Sequence, residues 1–177
     1  METKKVAVIG GGAAGFFAAI SVKENHPSHQ VILFEKTSKV LSKVRISGGG
    51  RCNVTHDCSD IPTLCEAYPR GGKKLKSLFY QFSKSDTVDW FESRGIPLKT
   101  EIDGRMFPES NNSQSIIDCL ESEIARLKVT LKLGQTIEQI EQDGIGWKLN
   151  FKDQPNQKFD KVIIATGGSP KITGFDW

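Results

Sequence analysis

The sequence predicts an α/β fold in which helices flank a parallel sheet. Two apolar runs, Lys5–Ile9 and Gln30–Glu35, enclose a glycine cluster and a helical pattern, which together predict one β-α-β unit. A fully apolar run at Lys161–Ala165 predicts a further parallel strand. Apolar and polar residues alternate within 134–160, which predicts an antiparallel β-meander ahead of the last parallel strand.

The first elements follow from the spacing of apolar residues. A strand at Lys5–Ile9 leads into a helix at Ala13–Asn25, and a second strand at Gln30–Glu35 completes a unit with a right-handed crossover. The segment Lys39–Asp57 is dense in glycine and charge, so we expect it to be irregular.

Helical periodicity returns in the middle of the chain. It predicts helices near Lys73–Phe82 and Ser85–Arg94, and Gly95 ends the second of them. Pro97 and Gly104 punctuate a short extended stretch.

A third helix and a third parallel strand are predicted before the meander. Asn112 or Ser113 can cap a helix that runs to about Leu127, and Val129–Leu133 follows as a strand. The alternating meander segments are Thr136–Glu141, Trp147–Phe151 and Gln157–Asp160. We interpret 1–177 as one domain, with a helical and extended insertion at 58–112 and the meander at 134–160.

Composition favours a folded domain that binds neither nucleic acid nor a membrane. The 177 residues carry 24 Lys and Arg against 21 Asp and Glu, and this net charge of +3 is too small to predict nucleic-acid binding. Three consecutive glycines interrupt the apolar run Val6–Val22, so it predicts neither a signal peptide nor a spanning helix. The four cysteines form no C-x-x-C pair and no zinc-spaced cluster. We therefore expect a cytoplasmic protein with reduced thiols and no metal.

The glycine cluster Gly10-Gly11-Gly12-Ala13-Ala14-Gly15 matches the G-x-G-x-x-G fingerprint of dinucleotide-binding folds. Gly10 permits the tight turn, Gly12 lets the backbone approach a pyrophosphate, and Gly15 lets the helix pack close to the strand. The amides of Ala13 and Ala14 lie at the start of the helix, where backbone donors attract anions. The sequence thus predicts a nucleotide site at this turn.

An acidic residue stands at the position where such folds hold a ribose. Glu35 ends the second strand, about 20 residues beyond Gly15, and its carboxylate can accept hydrogen bonds from ribose hydroxyls. A carboxylate here repels a 2'-phosphate, which favours FAD or NAD over NADP. Lys36 is either beside the adenosine or solvated.

The last apolar strand ends in Ala165, Thr166, Gly167 and Gly168. Ligands of doubly wound sheets collect at the carboxyl ends of strands, so we include these four residues in the candidate site. Local chemistry alone fits a simple turn equally well.

Three motifs, taken in order, resemble the BaiN-type (YhiN-like) flavoproteins, which are NAD(P)/FAD-dependent or aminoacetone-oxidase-like oxidoreductases. They are Lys43-Val44-Arg45-Ile46-Ser47-Gly48-Gly49-Gly50-Arg51-Cys52-Asn53-Val54-Thr55, Gly104-Arg105-Met106-Phe107-Pro108 and Ala165-Thr166-Gly167-Gly168-Ser169. The resemblance implies a Rossmann-like, glutathione-reductase-like FAD/NAD(P)-binding domain. It also implies FAD as cofactor, with NAD(P)H or the substrate as electron source.

The resemblance adds a second set of candidate cofactor contacts to those of the first turn. They are Lys43, Ser47, Gly48, Gly49, Gly50, Arg51, Cys52, Asn53 and Ile137. Consecutive glycines expose backbone donors, and the planar fork of Arg51 suits phosphate oxygens, although a solvated loop is the alternative. Cys52 is expected to pack near the cofactor rather than to act as a nucleophile. Arg105 either orients an anionic substrate or is simply exposed.

The sequence thus predicts the FAD-binding domain of a flavin-dependent oxidoreductase that acts on a small molecule. Members of the resembled family continue past this length, so we expect a truncated domain that is inactive or incomplete alone. Apolar surface exposed by truncation would favour self-association. Two alternatives stay open: an NAD-binding reductase domain without flavin, and a non-catalytic nucleotide-binding fragment. No catalytic residue is assigned.

Overall fold

The structure is a computed structural model that describes residues 2–69 and 71–168. The chain divides into two compact units, one formed by Met1–Ser42 and Leu120–Trp177, the other by Lys43–Cys119. The insertion predicted at 58–112 falls within the second of them.

A four-stranded parallel sheet forms the centre of the first unit. Strands β1 (Lys5–Ile9) and β2 (Gln30–Phe34) are joined by helix α1 (Ala13–Asn25), as predicted. Strand β6 (Thr130–Lys132) pairs with β2, and β10 (Lys161–Ile164) pairs with β1. The strand order is therefore β10-β1-β2-β6, with every pairing parallel.

The predicted meander covers one face of this sheet. Its strands are β7 (Ile137–Asp143), β8 (Gly146–Phe151) and β9 (Gln157–Phe159), paired antiparallel in that order. Phe34 of β2 contacts the rings of Phe151 and Phe159, with centroids 5.3 and 5.8 Å apart. These aromatic contacts join the sheet and the meander into one hydrophobic core.

Successive residues of β1 and β2 point to opposite faces of the sheet, and both sets are buried. Ala7 and Ile32 belong to the core beneath the meander, while Leu33 points to α1, where its Cδ1 lies near Gly15. On α1, Phe16 and Ile20 are fully buried. Burial on both faces explains why the inner residues of β1 and β2 are all apolar rather than alternating, whereas β10 is only partly buried and Ile164 is exposed.

The second unit is built from short helices and a three-stranded antiparallel sheet. Its sheet has the order β3-β5-β4. The strands are β3 (Thr55–His56), β4 (Leu98–Thr100) and β5 (Arg105–Pro108). The helices are α3 (Ile61–Glu66), α4 (Gly72–Phe79) and α5 (Lys84–Glu92). Helix α6 (Ser113–Arg126) begins in this unit.

The prediction that 39–57 is irregular was wrong in part. The structure has helix α2 (Ser42–Ile46), a 3₁₀ turn at Ser47–Gly50 and strand β3 in this segment. The elements are too short to produce a periodic pattern, because α2 has a single buried residue, Val44. None of the helices in the described ranges is long and apolar enough to cross a membrane.

Candidate functional site

The glycine turn lies where the carboxyl ends of three neighbouring strands of the first unit meet. The Gly10 amide donates to the Phe34 carbonyl at 2.8 Å, and the Ala165 amide donates to the Ile9 carbonyl at 2.8 Å. The turn is thus bonded to the ends of β2 and β10. This is the edge at which doubly wound sheets bind their ligands.

Gly10 and Gly15 have no room for a side chain. A Cβ on Gly10 would lie 2.4 Å from the Ala165 oxygen, and its φ of +115° is unfavourable for other residues. A Cβ on Gly15 would lie 1.9 Å from the Gly10 oxygen. Both glycines are therefore required for the chain to pass from β1 into α1 while β10 lies alongside.

Gly12 differs from its neighbours because a Cβ added there would meet no atom of the described residues within 4 Å. Gly12 is the N-cap of α1, has an extended backbone and is exposed, as are Ala13 and Ala14. The protein's own packing therefore gives no reason for glycine at this position. The first turn of α1 holds no acidic side chain, so no carboxylate of the helix itself competes with an incoming anion.

Glu35 lies directly beside the turn, with both carboxylate oxygens held. Oε2 accepts a hydrogen bond from the Gly11 amide at 2.8 Å. Oε1 accepts from the amide and the hydroxyl of Thr37, at 2.8 and 2.9 Å. The acid and the glycine turn, 24 residues apart in sequence, are thus connected by a single hydrogen bond.

The pKa of the Glu35 carboxyl lies below its ordinary value. Partial burial acts to raise this pKa, but the hydrogen bonds from Thr37 and Gly11 and the charge of Lys36 outweigh it. Glu35 is therefore ionised at neutral pH, with both oxygens oriented by the turn. Lys36 itself is exposed.

The remaining candidates of the first unit lie in two different settings. Thr166, Gly167 and Gly168 are exposed, and Ala165 is half-buried beside Gly10. Ile137 starts β7 and packs against the hydrophobic core, which gives it a structural role whatever else it contacts. Ser169 lies outside the described residues.

The second unit holds the glycine loop, Ser47–Gly50 with Arg51. Gly48, Gly49 and Gly50 all have left-handed φ values, of 55°, 68° and 87°. The loop is tied down at its ends: Ser47 Oγ donates to the Val44 carbonyl at 2.9 Å, and its own carbonyl accepts from the Cys52 amide at 3.0 Å.

The guanidinium of Arg51 already has a carboxylate partner within the protein. Its terminal nitrogens are on the Glu101 carboxylate, and its guanidinium lies 3.9 Å from the Phe107 ring centroid. Lys43 is exposed, and so is Asn53. The Asn53 amide, in the orientation that satisfies its neighbours, donates to the carbonyls of Thr55 and Met106.

Cys52 is buried, and burial raises the pKa of its thiol, which the hydrogen bond with the Ser47 side chain only partly offsets. The thiol is therefore neutral at physiological pH, as expected for a packing residue rather than a nucleophile. Arg105 is exposed and pairs with Asp103 at 2.7 Å.

Sequence reasoning did not select four residues that complete these arrangements. Gly11 and Thr37 hold Glu35, while Glu101 and Phe107 hold Arg51. A threonine two residues after an acid is a local signal that could have pointed to Thr37. Glu101 is 50 residues from Arg51 and carries no such signal.

The amino-acid sequence of the chain matches a known protein family. The profile of the HI0933-like protein Rossmann domain matches residues 4–174. The chain belongs to this family. The HI0933-like domain is a flavin-binding Rossmann domain of oxidoreductases. Membership of this family supports FAD as the cofactor. The resemblance drawn from the three sequence motifs is thereby confirmed.

Two curated relatives are enzymes with very different named substrates. The 3-dehydro-bile acid Δ(4,6)-reductase of Clostridium scindens is 30% identical, over 97% of this chain and 41% of its own length. The ribosomal RNA dihydrouridine synthase of Escherichia coli is 29% identical, over 95% of this chain and 40% of its own length. The chain thus spans about 40% of the length of these relatives.

Solved structures show the same fold. The open conformation of a flavocytochrome c3 fumarate reductase superposes with a TM-score of 0.66 at 23% identity. The match covers 94% of this HI0933-like chain and 34% of that one. The predicted α/β class, with a parallel sheet and antiparallel strands, is confirmed.

Proposed function

We propose that the first unit binds the ADP portion of FAD at the glycine turn. The pyrophosphate would lie over Gly12 at the start of α1, and the ribose hydroxyls would bind Glu35. The observation that carries this proposal is the open space above Gly12, since main-chain contacts exclude a side chain at Gly10 and Gly15 and none of the described residues excludes one at Gly12. Thirteen residues of helix behind the turn add a favourable dipole for an anion.

The other candidates form a wider proposed contact set. In the first unit, Ala13 and Ala14 begin α1, Lys36 follows the end of β2, and 165–168 follow the end of β10. In the second unit, Lys43 and the residues of 47–53 are proposed on the family resemblance. Bound FAD would supply the redox chemistry, taking two electrons from a donor such as NADH or NADPH and passing them to a substrate.

Identification of the bound nucleotide tests the cofactor assignment. The purified protein would be denatured with acid, and the released nucleotide would be identified by chromatography and by its absorbance spectrum. We expect FAD, with the absorbance of oxidised flavin before release. NAD in its place would support the reductase alternative. If no nucleotide is released and added FAD and ADP both fail to bind, the proposal is wrong.

The choice of ribose gives a second test at Glu35. ADP and its 2'-phosphorylated analogue would compete for the site of the wild-type protein and of Glu35→Gln. We expect the wild type to prefer ADP at least tenfold, about the effect of one repelled charge. The preference should shrink in Glu35→Gln because the amide carries no charge. An unchanged preference would place the ribose elsewhere.

We further propose that the parent reaction reduces a carbon–carbon double bond conjugated with a carbonyl group. The names of the two curated relatives support this class: a Δ(4,6)-reductase removes ring unsaturation, and dihydrouridine is uridine with its ring double bond reduced. The natural full-length protein would be supplied with NADH or NADPH and a set of enones, with the saturated ketones as controls. Consumption of NAD(P)H that depends on the enone is expected. Turnover of saturated alcohols alone would contradict this class.

A further inference from the structure

The Arg51 side chain is engaged on three sides by residues of its own unit. Both terminal nitrogens face the Glu101 carboxylate, with Nη2 3.5 Å from Oε2. Nε donates to the Gly48 carbonyl at 3.4 Å, and the guanidinium stacks on Phe107. A planar fork can satisfy a carboxylate and stack on a ring at once, and lysine cannot.

The Phe107 ring, on which the Arg51 guanidinium stacks, also packs against the glycine loop. Phe107 is fully buried, and a Cβ on Gly48 would lie 2.7 Å from its Cε1. Gly48 is therefore pressed against the ring, while its carbonyl is held by Arg51. Three successive glycines lose much conformational freedom when fixed, so the loop needs such support to keep one shape.

We propose that Arg51 is a positioning residue, which fixes the Gly48–Gly50 loop through Glu101 and Phe107, rather than a direct ligand of phosphate. This inference rests on the proposed role of the loop in cofactor binding. It deepens that role by assigning the contact to the backbone amides of the loop. Arg51 acts by holding these amides in place.

The variant Glu101→Gln separates the two roles, because it removes the carboxylate and leaves Arg51 intact. If Arg51 positions the loop, the loop loosens and FAD binds about tenfold more weakly, the effect of losing one charge-assisted bond. If Arg51 binds phosphate directly, its release from Glu101 leaves FAD affinity unchanged or raises it. The dependence of affinity on salt then becomes steeper.

Hydrogen exchange of the protein without cofactor gives a readout that does not need FAD. Peptides covering 46–54 should exchange about tenfold faster in Glu101→Gln and in Arg51→Lys than in the wild type. Peptides of β1 should be unchanged, which shows that the fold persists. Asp57→Asn is the matched control, since it breaks the exposed Lys84–Asp57 pair of the same unit without touching the loop.

The two arms distinguish failure of this inference from failure of the proposed function. Unchanged exchange at 46–54 in both variants overturns the positioning role, whether or not FAD binds. Faster exchange in a protein whose wild type binds no FAD keeps the positioning role and overturns the proposed cofactor site. Faster exchange with unaltered or tighter FAD binding also overturns the inference, because the loop would then not serve the cofactor.

Discussion

The glycine turn of the first unit and the glycine loop of the second unit are held in different ways. In the turn, main-chain atoms leave no space for side chains. The Gly10 oxygen lies where a Cβ of residue 15 would be, and the Ala165 oxygen lies where a Cβ of residue 10 would be. In the loop, the support comes from side chains, Arg51 with Glu101 and Phe107. The Gly10–Gly15 contact follows from the topology of a β-α-β unit, whereas the Gly10–Ala165 contact and the Arg51–Glu101 contact join parts of the chain that are far apart in sequence.

Each region has one glycine that faces open space, and these two glycines differ in backbone conformation. Among residues 2–69 and 71–168, nothing lies within 4 Å of a Cβ added to Gly12 or to Gly49. Gly12 has an ordinary extended backbone, whereas Gly49 has a φ of 68°. Substitution at Gly12 therefore tests a ligand, and substitution at Gly49 tests the backbone.

The largest effect is expected at Gly15. An added methyl would overlap the Gly10 oxygen, so Gly15→Ala should lower the free energy of unfolding by about 3 kcal/mol. Urea denaturation followed by circular dichroism measures it. The matched variant Gly12→Ala should lose less than about 1 kcal/mol, the cost of alanine in place of an N-cap glycine. Equal losses in both variants would show that the turn is not held by main-chain contact.

Gly49→Ala should have an intermediate effect. The position is open, but alanine in a left-handed conformation costs about 1 kcal/mol, so a modest loss of stability is expected. The same urea titration applies, with Gly12→Ala as the control that lacks the backbone cost. A neutral Gly49→Ala would mean that the loop is free to relax, which argues against support by Arg51.

A smaller effect concerns pH and the Glu35 carboxylate. Its pKa is lower in the folded protein than in the unfolded chain, so ionised Glu35 stabilises the fold above the unfolded pKa of about 4.3. This contribution is lost as the pH falls through the folded pKa. Glu35→Gln should therefore differ more from the wild type at pH 7 than at pH 3. Parallel stability curves across that range would contradict the hydrogen bonds assigned to Gly11 and Thr37.

The smallest effect is expected at Thr37. Thr37→Val removes the hydroxyl bond to Glu35 and keeps the amide bond, so ADP should bind only about threefold more weakly. Thr37→Ser keeps both bonds and serves as the control. Isothermal titration of ADP measures the difference. Equal weakening in both variants would contradict a specific role of the hydroxyl bond, because serine keeps that hydroxyl.

The contrast between the two regions explains what the sequence could predict. The bounds of β1 and α1 and the roles of Gly10 and Gly15 follow from local periodicity and from backbone rules, and the structure confirms them. Helix α2 was missed because five residues are too few to show a period.

The contacts of Arg51 with Glu101 and Phe107 could not be predicted from the sequence for a different reason. Arg51 and Glu101 are brought together by the antiparallel pairing of β5 with β3 on one side and with β4 on the other, and no local pattern encodes that contact. The fork of Arg51 was therefore predicted to be available for phosphate, when a carboxylate of the same unit already faces it. Ligand sets deduced from motifs need the partners of each side chain before a role is assigned.

The central claim is that a pyrophosphate occupies the open space above Gly12. The most direct test compares FAD binding to the wild type and to Gly12→Val by titration of flavin fluorescence, with melting temperatures measured without cofactor and Cys58→Ser as the control. We predict a melting temperature only a few degrees lower, about the cost of valine at an N-cap, and an affinity at least about a hundredfold lower in Gly12→Val, since the side chain would fill the phosphate position. Undiminished FAD affinity in a folded Gly12→Val protein would contradict the claim.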